Sequence, residues 1–151
     1  MLDDIYSPRI LELAAGIPHG QRLEHPGATA TAHSKLCGST VSIDLDIEGG
    51  RVARYGQTVK ACLLGQAAAS VMGRNIIGST PEELRAVGSQ MRAMLKEDGP
   101  PPGGRWNDLA VLEPVRDFRA RHASTLLVFD AVEDALAQIE SRGGARAGAG
   151  T

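Results

Sequence analysis

The sequence predicts an α+β domain: a small three-stranded antiparallel sheet covered by about four to five helices. Val41, Ile43, Leu45 and Ile47 alternate with Ser42, Asp44 and Asp46, the period of two of a strand with one buried face. Glu48-Gly49-Gly50-Arg51 follows at once. Paired glycines accept the positive φ of a tight hairpin, so the next strand returns antiparallel. Apolar residues then recur at spacings of three and four in several later segments, the signature of amphipathic helices.

In chain order, a first helix is expected over Asp3–Ala14, carrying Ile5, Ile10, Leu11 and Leu13 before Gly16. Ala28–His33, where Thr and Ala alternate, is a weak third strand beside Thr40–Ile47 and its partner at about Arg51–Val59. A helix over Cys62–Arg74 presents Leu63, Leu64, Ala67, Ala68, Val71 and Met72. Thr80-Pro81-Glu82-Glu83 has the form of a capping box with proline at the first helical position. The helix it opens has Leu84, Val87, Met91, Met94 and Leu95 on one face. Asp98–Gly104, with three consecutive prolines, reads as an exposed loop, and Trp106–Val111 as a short helix running into a charged connector, Arg116–Arg121. The last helix, about Ser124–Ile139, repeats Val128, Ala131, Val132, Ala135, Leu136 and Ile139. The expected domain is 1–140, and 141–151 is a Gly/Ala/Arg-rich tail too poor in apolar bulk to pack.

The 151 residues fit one domain. A net charge of −2 and 3% aromatic content argue against a nucleic-acid partner, whether by field or by base stacking. No apolar run reaches the ~18 residues of a membrane span. The first residues lack a basic and apolar leader, so a cytoplasmic location is expected. Two cysteines cannot form a disulfide framework in a chain of this size.

Those cysteines occupy matched places. Cys37 precedes the first clear strand, and Cys62 follows its hairpin partner and opens a helix. The hairpin therefore brings both to one end of the sheet. Thiolate sulfur binds soft metals and clusters, and imidazole suits zinc or iron, so His122 at the start of the last helix is a candidate further donor, although a lone histidine there is more often exposed or hydrogen-bonded than a ligand. Spacing alone also fits two small buried hydrophobes. His19, His25 and His33 carry no ligand spacing. Ser70 lies in a small-residue helix with no base or oxyanion motif, and no phosphate loop or nucleophile–base set is present; an enzyme is not expected.

The order of these features resembles the iron–sulfur cluster assembly scaffold family, of the NifU N-terminal, IscU and SufU-like kind, over nearly the whole globular segment. The residues that carry the likeness are Tyr6 with Pro18-His19-Gly20 and Leu23, Leu36-Cys37-Gly38, Glu48-Gly49-Gly50-Arg51-Val52, Ala61-Cys62 with Gln66–Met72, and Pro114-Val115-Arg116 through Arg121. The resemblance implies a SufE/NifU-like fold and a scaffold-like protein that binds iron, a 2Fe–2S cluster or zinc through Cys37 and Cys62. It also implies a cysteine desulfurase as partner. The family has three ligand cysteines and commonly an aspartate two residues after the first. Here Ser39 stands at the aspartate's place and Ala123 at the third cysteine's, with His122 adjoining as a substitute donor. A 2Fe–2S cluster takes four protein ligands, so binding through this set is expected to be weak. The alternative is a degenerate member with no cluster, an accessory or structural subunit on an iron–sulfur enzyme or respiratory complex.

Overall fold

The alternation at residues 41–47 does form the central strand, and the rest of the molecule is arranged around it. The computed structural model describes residues 6–35 and 38–150, with side chains to residue 142. Its elements are α1 (Pro8–Ala15), β1 (Ala28–His33), β2 (Thr40–Glu48), β3 (Arg51–Lys60), α2 (Leu63–Asn75), α3 (Pro81–Lys96), 3-10 segments at Gly104–Asp117 and Arg119–Arg121, and α4 (His122–Gly150). The sheet order is β1-β2-β3, antiparallel throughout. Gly49 and Gly50 turn the β2–β3 hairpin at φ 61° and 78°, the conformation for which glycine is needed there.

One face of the sheet is apolar. Val41, Ile43 and Leu45 are fully buried, with Tyr55 beside Leu45 in the register. α4 packs on β1 and β2, α2 on β3 and on α4, and α1 on α2. Leu126, Leu127, Val128 and Phe129 are four successive buried residues. Residues 124–129 of α4 are therefore buried on every side, because α2, α3 and the sheet all press on this helix. α2 meets its neighbours through Ala67, Ala68 and Ala69, small residues that let helices approach closely, and Ser70 is buried among them.

Several expected boundaries shift for local reasons. α1 starts at Pro8 rather than Asp3, because Ser7 caps it by accepting the Ile10 N–H at 3.3 Å; residues 3–5 lie outside the described residues. Only half of the capping box forms. Thr80 Oγ1 accepts the Glu83 N–H at 3.1 Å, but the Glu83 carboxylate is drawn off to Trp106 Nε1 at 2.8 Å and Arg105 Nε at 2.9 Å. Trp106–Val111 belongs to a longer 3-10 run, and Pro102 of the preceding loop is buried rather than exposed. α4 starts two residues before Ser124 and runs past Ile139, where Glu140 pairs with Arg85 and Arg142 donates to the Gly27 carbonyl. Among the described residues no helix is long and apolar enough to cross a membrane.

The outer face of the sheet is polar, and one carboxylate on it is buried. Asp44, 1% exposed, accepts from Arg22 Nε and Nη2 at 2.6 and 2.8 Å, from the Leu23 N–H at 3.0 Å and from Thr29 Oγ1 at 2.6 Å. These bonds pin the connection between α1 and β1 across the sheet. The strand beneath must be glycine there: a Cβ on Gly56, the register partner of Asp44, would lie 2.3 Å from the Gln21 carbonyl oxygen. Burial pushes the Asp44 carboxyl up, but Arg22, Thr29 and Leu23 outweigh it and hold the group below the ordinary carboxylate range. Its contribution to stability is thus complete above the unfolded-state value of about 3.9 and is lost as pH falls through the lower folded-state value. Asp44→Asn is expected to cost about 2–4 kcal/mol in urea unfolding at pH 7. The wild-type advantage should shrink below about pH 4. An equal loss at pH 3 and pH 7 would contradict this role.

Candidate functional site

The register places the two cysteine-bearing segments at the same end of the sheet. His33, Thr40 and Lys60 form its last cross-strand row. Ser34 donates to the Ser39 carbonyl and Gly38 to the Ser34 carbonyl, both at 2.9 Å, so β1 and β2 are joined tightly beyond that row. Cys37 belongs to this connection in sequence and lies outside the described residues. Cys62, two residues past Lys60, is the extended N-cap of α2, with φ −64° and ψ 170°.

Cys62 is half-buried and gives its own helix no capping hydrogen bond. Its Sγ lies 3.2 Å from Ser124 Oγ in the first turn of α4. Ser124 Oγ also donates to the Arg121 carbonyl at 3.2 Å. A serine hydroxyl has one proton, so with that proton on Arg121 the thiol S–H is the donor to Oγ. An anionic sulfur would draw the serine proton to itself. Ser124 therefore responds directly to the charge of Cys62.

The two helix ends meet because residue 65 has no side chain. A Cβ on Gly65 would stand 2.9 Å from the Ser124 carbonyl oxygen and 2.8 Å from the Ala61 Cβ. A glycine inside a helix costs about 1 kcal/mol relative to alanine, and here it allows that close approach. Gly65 and Ser124 were both legible as residues but not as parts of a site. The signal was the helix-interior glycine three residues after Cys62.

His122 is 8% exposed, and its Nε2 lies 3.0 Å from the Val115 carbonyl oxygen and 3.1 Å from that of Arg116. Both neighbours are acceptors, which assigns the proton to Nε2 and leaves Nδ1 as the ring's only lone pair. Ala123, next in sequence, is exposed, and Ser39 is buried. His19 sits edge-on to Tyr55 at 6.1 Å, and His33 is exposed in the last row of the sheet. Among the described residues no three His, Cys, Asp or Glu side chains form a group that could hold a metal ion.

The fold and much of the sequence match a crystal structure of a nitrogen-fixing NifU-like protein (N-terminal) from Brucella abortus. Identity is 56% over 93% of this chain and 97% of that one, with a TM-score of 0.91. The iron–sulfur cluster assembly scaffold protein IscU of Thermotoga maritima is 23% identical over 135 residues, 89% of this chain and 94% of that protein. The chain belongs to the iron–sulfur cluster assembly scaffold family. A crystal structure of a putative scaffold protein for the SUF system from Fervidobacterium islandicum shares the fold at 20% identity and a TM-score of 0.81, over 89% of this chain and 98% of that one. No protein-family model matches the chain. Alanine stands at position 123, where the resemblance led to the expectation of a third cysteine.

Gly65→Ala tests how the site is held. The added methyl should separate the ends of α2 and α4, lower stability by about 1–3 kcal/mol and release Cys62 from Ser124. In a Cys37→Ser background, alkylation of Cys62 by iodoacetamide should then be several-fold faster than with Gly65. An unchanged rate would show that this approach does not shelter the sulfur.

Proposed function

We propose that the chain works in iron–sulfur cluster assembly as an accessory member of its family, one that docks on a partner and does not retain a stable cluster alone. The observation that carries this reading is the composition of the α4 start. Position 123 is an exposed methyl, the neighbouring imidazole has Nε2 committed to two backbone carbonyls, and the residue beside Cys62 is a serine. A hydroxyl is a poor ligand for iron beside thiolates. The cluster is cargo for this family, so a missing ligand limits holding time rather than folding. Fitting partners are a cysteine desulfurase or an iron–sulfur enzyme or respiratory complex that supplies the missing donors across the interface. No catalytic step is assigned to the chain itself.

One observation favours a second reading. Cys62 stands half-buried at the N-terminus of α2, where helix N–H groups and the dipole favour anionic ligands. With Cys37 from the adjoining connection and His122 through Nδ1, it makes a weak site for iron, a 2Fe–2S cluster or zinc.

Anaerobic reconstitution with iron and sulfide, followed by desalting, metal counting and visible spectra, separates the two. The accessory reading expects less than about one-tenth of a cluster per chain after desalting, unchanged in a Cys37→Ala/Cys62→Ala double variant. A stoichiometric partner should elute with the untagged chain from native extract. A cluster that survives desalting in wild type and disappears in the double variant supports the second reading. A chain that runs alone from native extract overturns the first.

A further inference from the structure

A second feature of the same end of the molecule is independent of any metal. A cavity of about 560 Å³ opens beside Ala123. Leu95, Lys96 and Asp98 from the end of α3 form one wall, and Arg116 and Arg119 from the 3-10 segments form another, with His122 and Ala123 at its base. Three cations, Lys96, Arg116 and Arg119, thus line the cavity with one carboxylate, Asp98, while Glu113 pairs with Arg116 from outside the lining.

The cations differ in how far the protein satisfies them. Arg116 is held from behind: its Nη2 donates to the Gly99 carbonyl at 3.2 Å and pairs with Glu113 at 3.2 Å, while Asp98 lies 3.7 Å from Nη1. Its Nε is buried and has no hydrogen-bond acceptor. A buried donor without an acceptor costs stability unless something external supplies one. Arg119 and Lys96 are exposed, and neither makes an ion pair among the described residues. α4 starts at the base of the cavity, adding the positive end of a long helix. The cluster therefore combines a fixed guanidinium with an unused donor and two free cations. Asp98 and Glu113 answer Arg116, whereas Arg119 and Lys96 have no anionic partner among the described residues, and an oxyanion supplies one to both.

We propose that the cavity binds a compact oxyanion carrying two or more negative charges, of the phosphate class. The free inorganic anion and the phosphate monoester share that chemistry. Leu95 offers the only large apolar wall, and contact with it would favour the ester's organic part. The site requires neither cysteine, so its success or failure is separate from the cluster-assembly reading.

The test titrates the full chain at low ionic strength with inorganic pyrophosphate and, in parallel, with glycerol phosphate, read by calorimetry and by the Arg116 Nε–H resonance. One saturable site is expected, with a shift of that resonance. Arg119→Gln and Lys96→Gln should each weaken binding about tenfold. Arg85→Gln, which removes a cation paired with Glu140 elsewhere, should leave it unchanged. Tighter pyrophosphate binding identifies a free anion as the ligand, and tighter glycerol phosphate binding an ester; either supports the proposal. Absence of saturation, an unmoved Arg116 resonance, or equal affinity in Arg119→Gln and Arg85→Gln overturns it. Both changes at exposed positions leave the core untouched, and a circular dichroism spectrum confirms that each variant is folded.

Discussion

The contact between Gly65 and the Ser124 carbonyl sets the geometry of the functional end. Two helices that begin far apart in sequence start side by side only because residue 65 presents no Cβ to its neighbour. That approach puts Sγ of Cys62 within hydrogen-bond reach of Ser124 and brings the segment 121–124 to the rim of the sheet. His122 and Ala123 adjoin Ser124 in the first turn of α4, so the same approach bears on where that turn lies.

The fastening of the sheet and the candidate site occupy different parts of it. Asp44 and Gly56 lie mid-strand and fasten the 18–27 segment over the polar face, with the Gln57 N–H donating to the His19 carbonyl at the edge of β3. The 77–80 segment covers the other part of that edge through the Val52 and Ser79 backbone. These devices keep β3 from offering unpaired backbone to other chains. The rim beyond Thr40 and Lys60 is closed on its β1–β2 side by the Ser34 and Ser39 backbone, and it carries Ser39, where the resemblance implies an aspartate. A fold can keep its core while its ligand set erodes, because the ligands contribute little to the apolar packing that holds it together.

The sheet was readable because its signals are local. Period-two alternation in β2, the Gly49-Gly50 turn and the Thr–Ala alternation of β1 each fix one strand, and all three appear where expected. The core helices were readable for the same reason, except where capping decided the boundary, as at Ser7 and Pro8. What pattern did not reveal depends on tertiary proximity. The Glu83 side chain is diverted by Trp106, and Pro102 is buried by its surroundings, although both read as local features. In the candidate site, Cys62 and the His122-Ala123 pair were legible through their resemblance to the family motifs. Ser124 as the partner of Cys62, and the convergence of Lys96, Arg116 and Arg119, needed the fold, because three separate segments contribute to them.

The central proposition is that the alanine at position 123, more than the serine at 39, separates this chain from a ligand-complete scaffold. Its most direct measurement is iron and sulfide retained after anaerobic reconstitution and desalting in Ala123→Cys beside wild type. Position 123 is exposed at the start of α4, next in sequence to the serine that contacts Cys62, so a thiol fits there without disturbing the core. A several-fold gain in retained cluster, with the charge-transfer absorption of thiolate-bound iron, is the expected result. Full retention by wild type, or no gain on restoring the thiol, would contradict it.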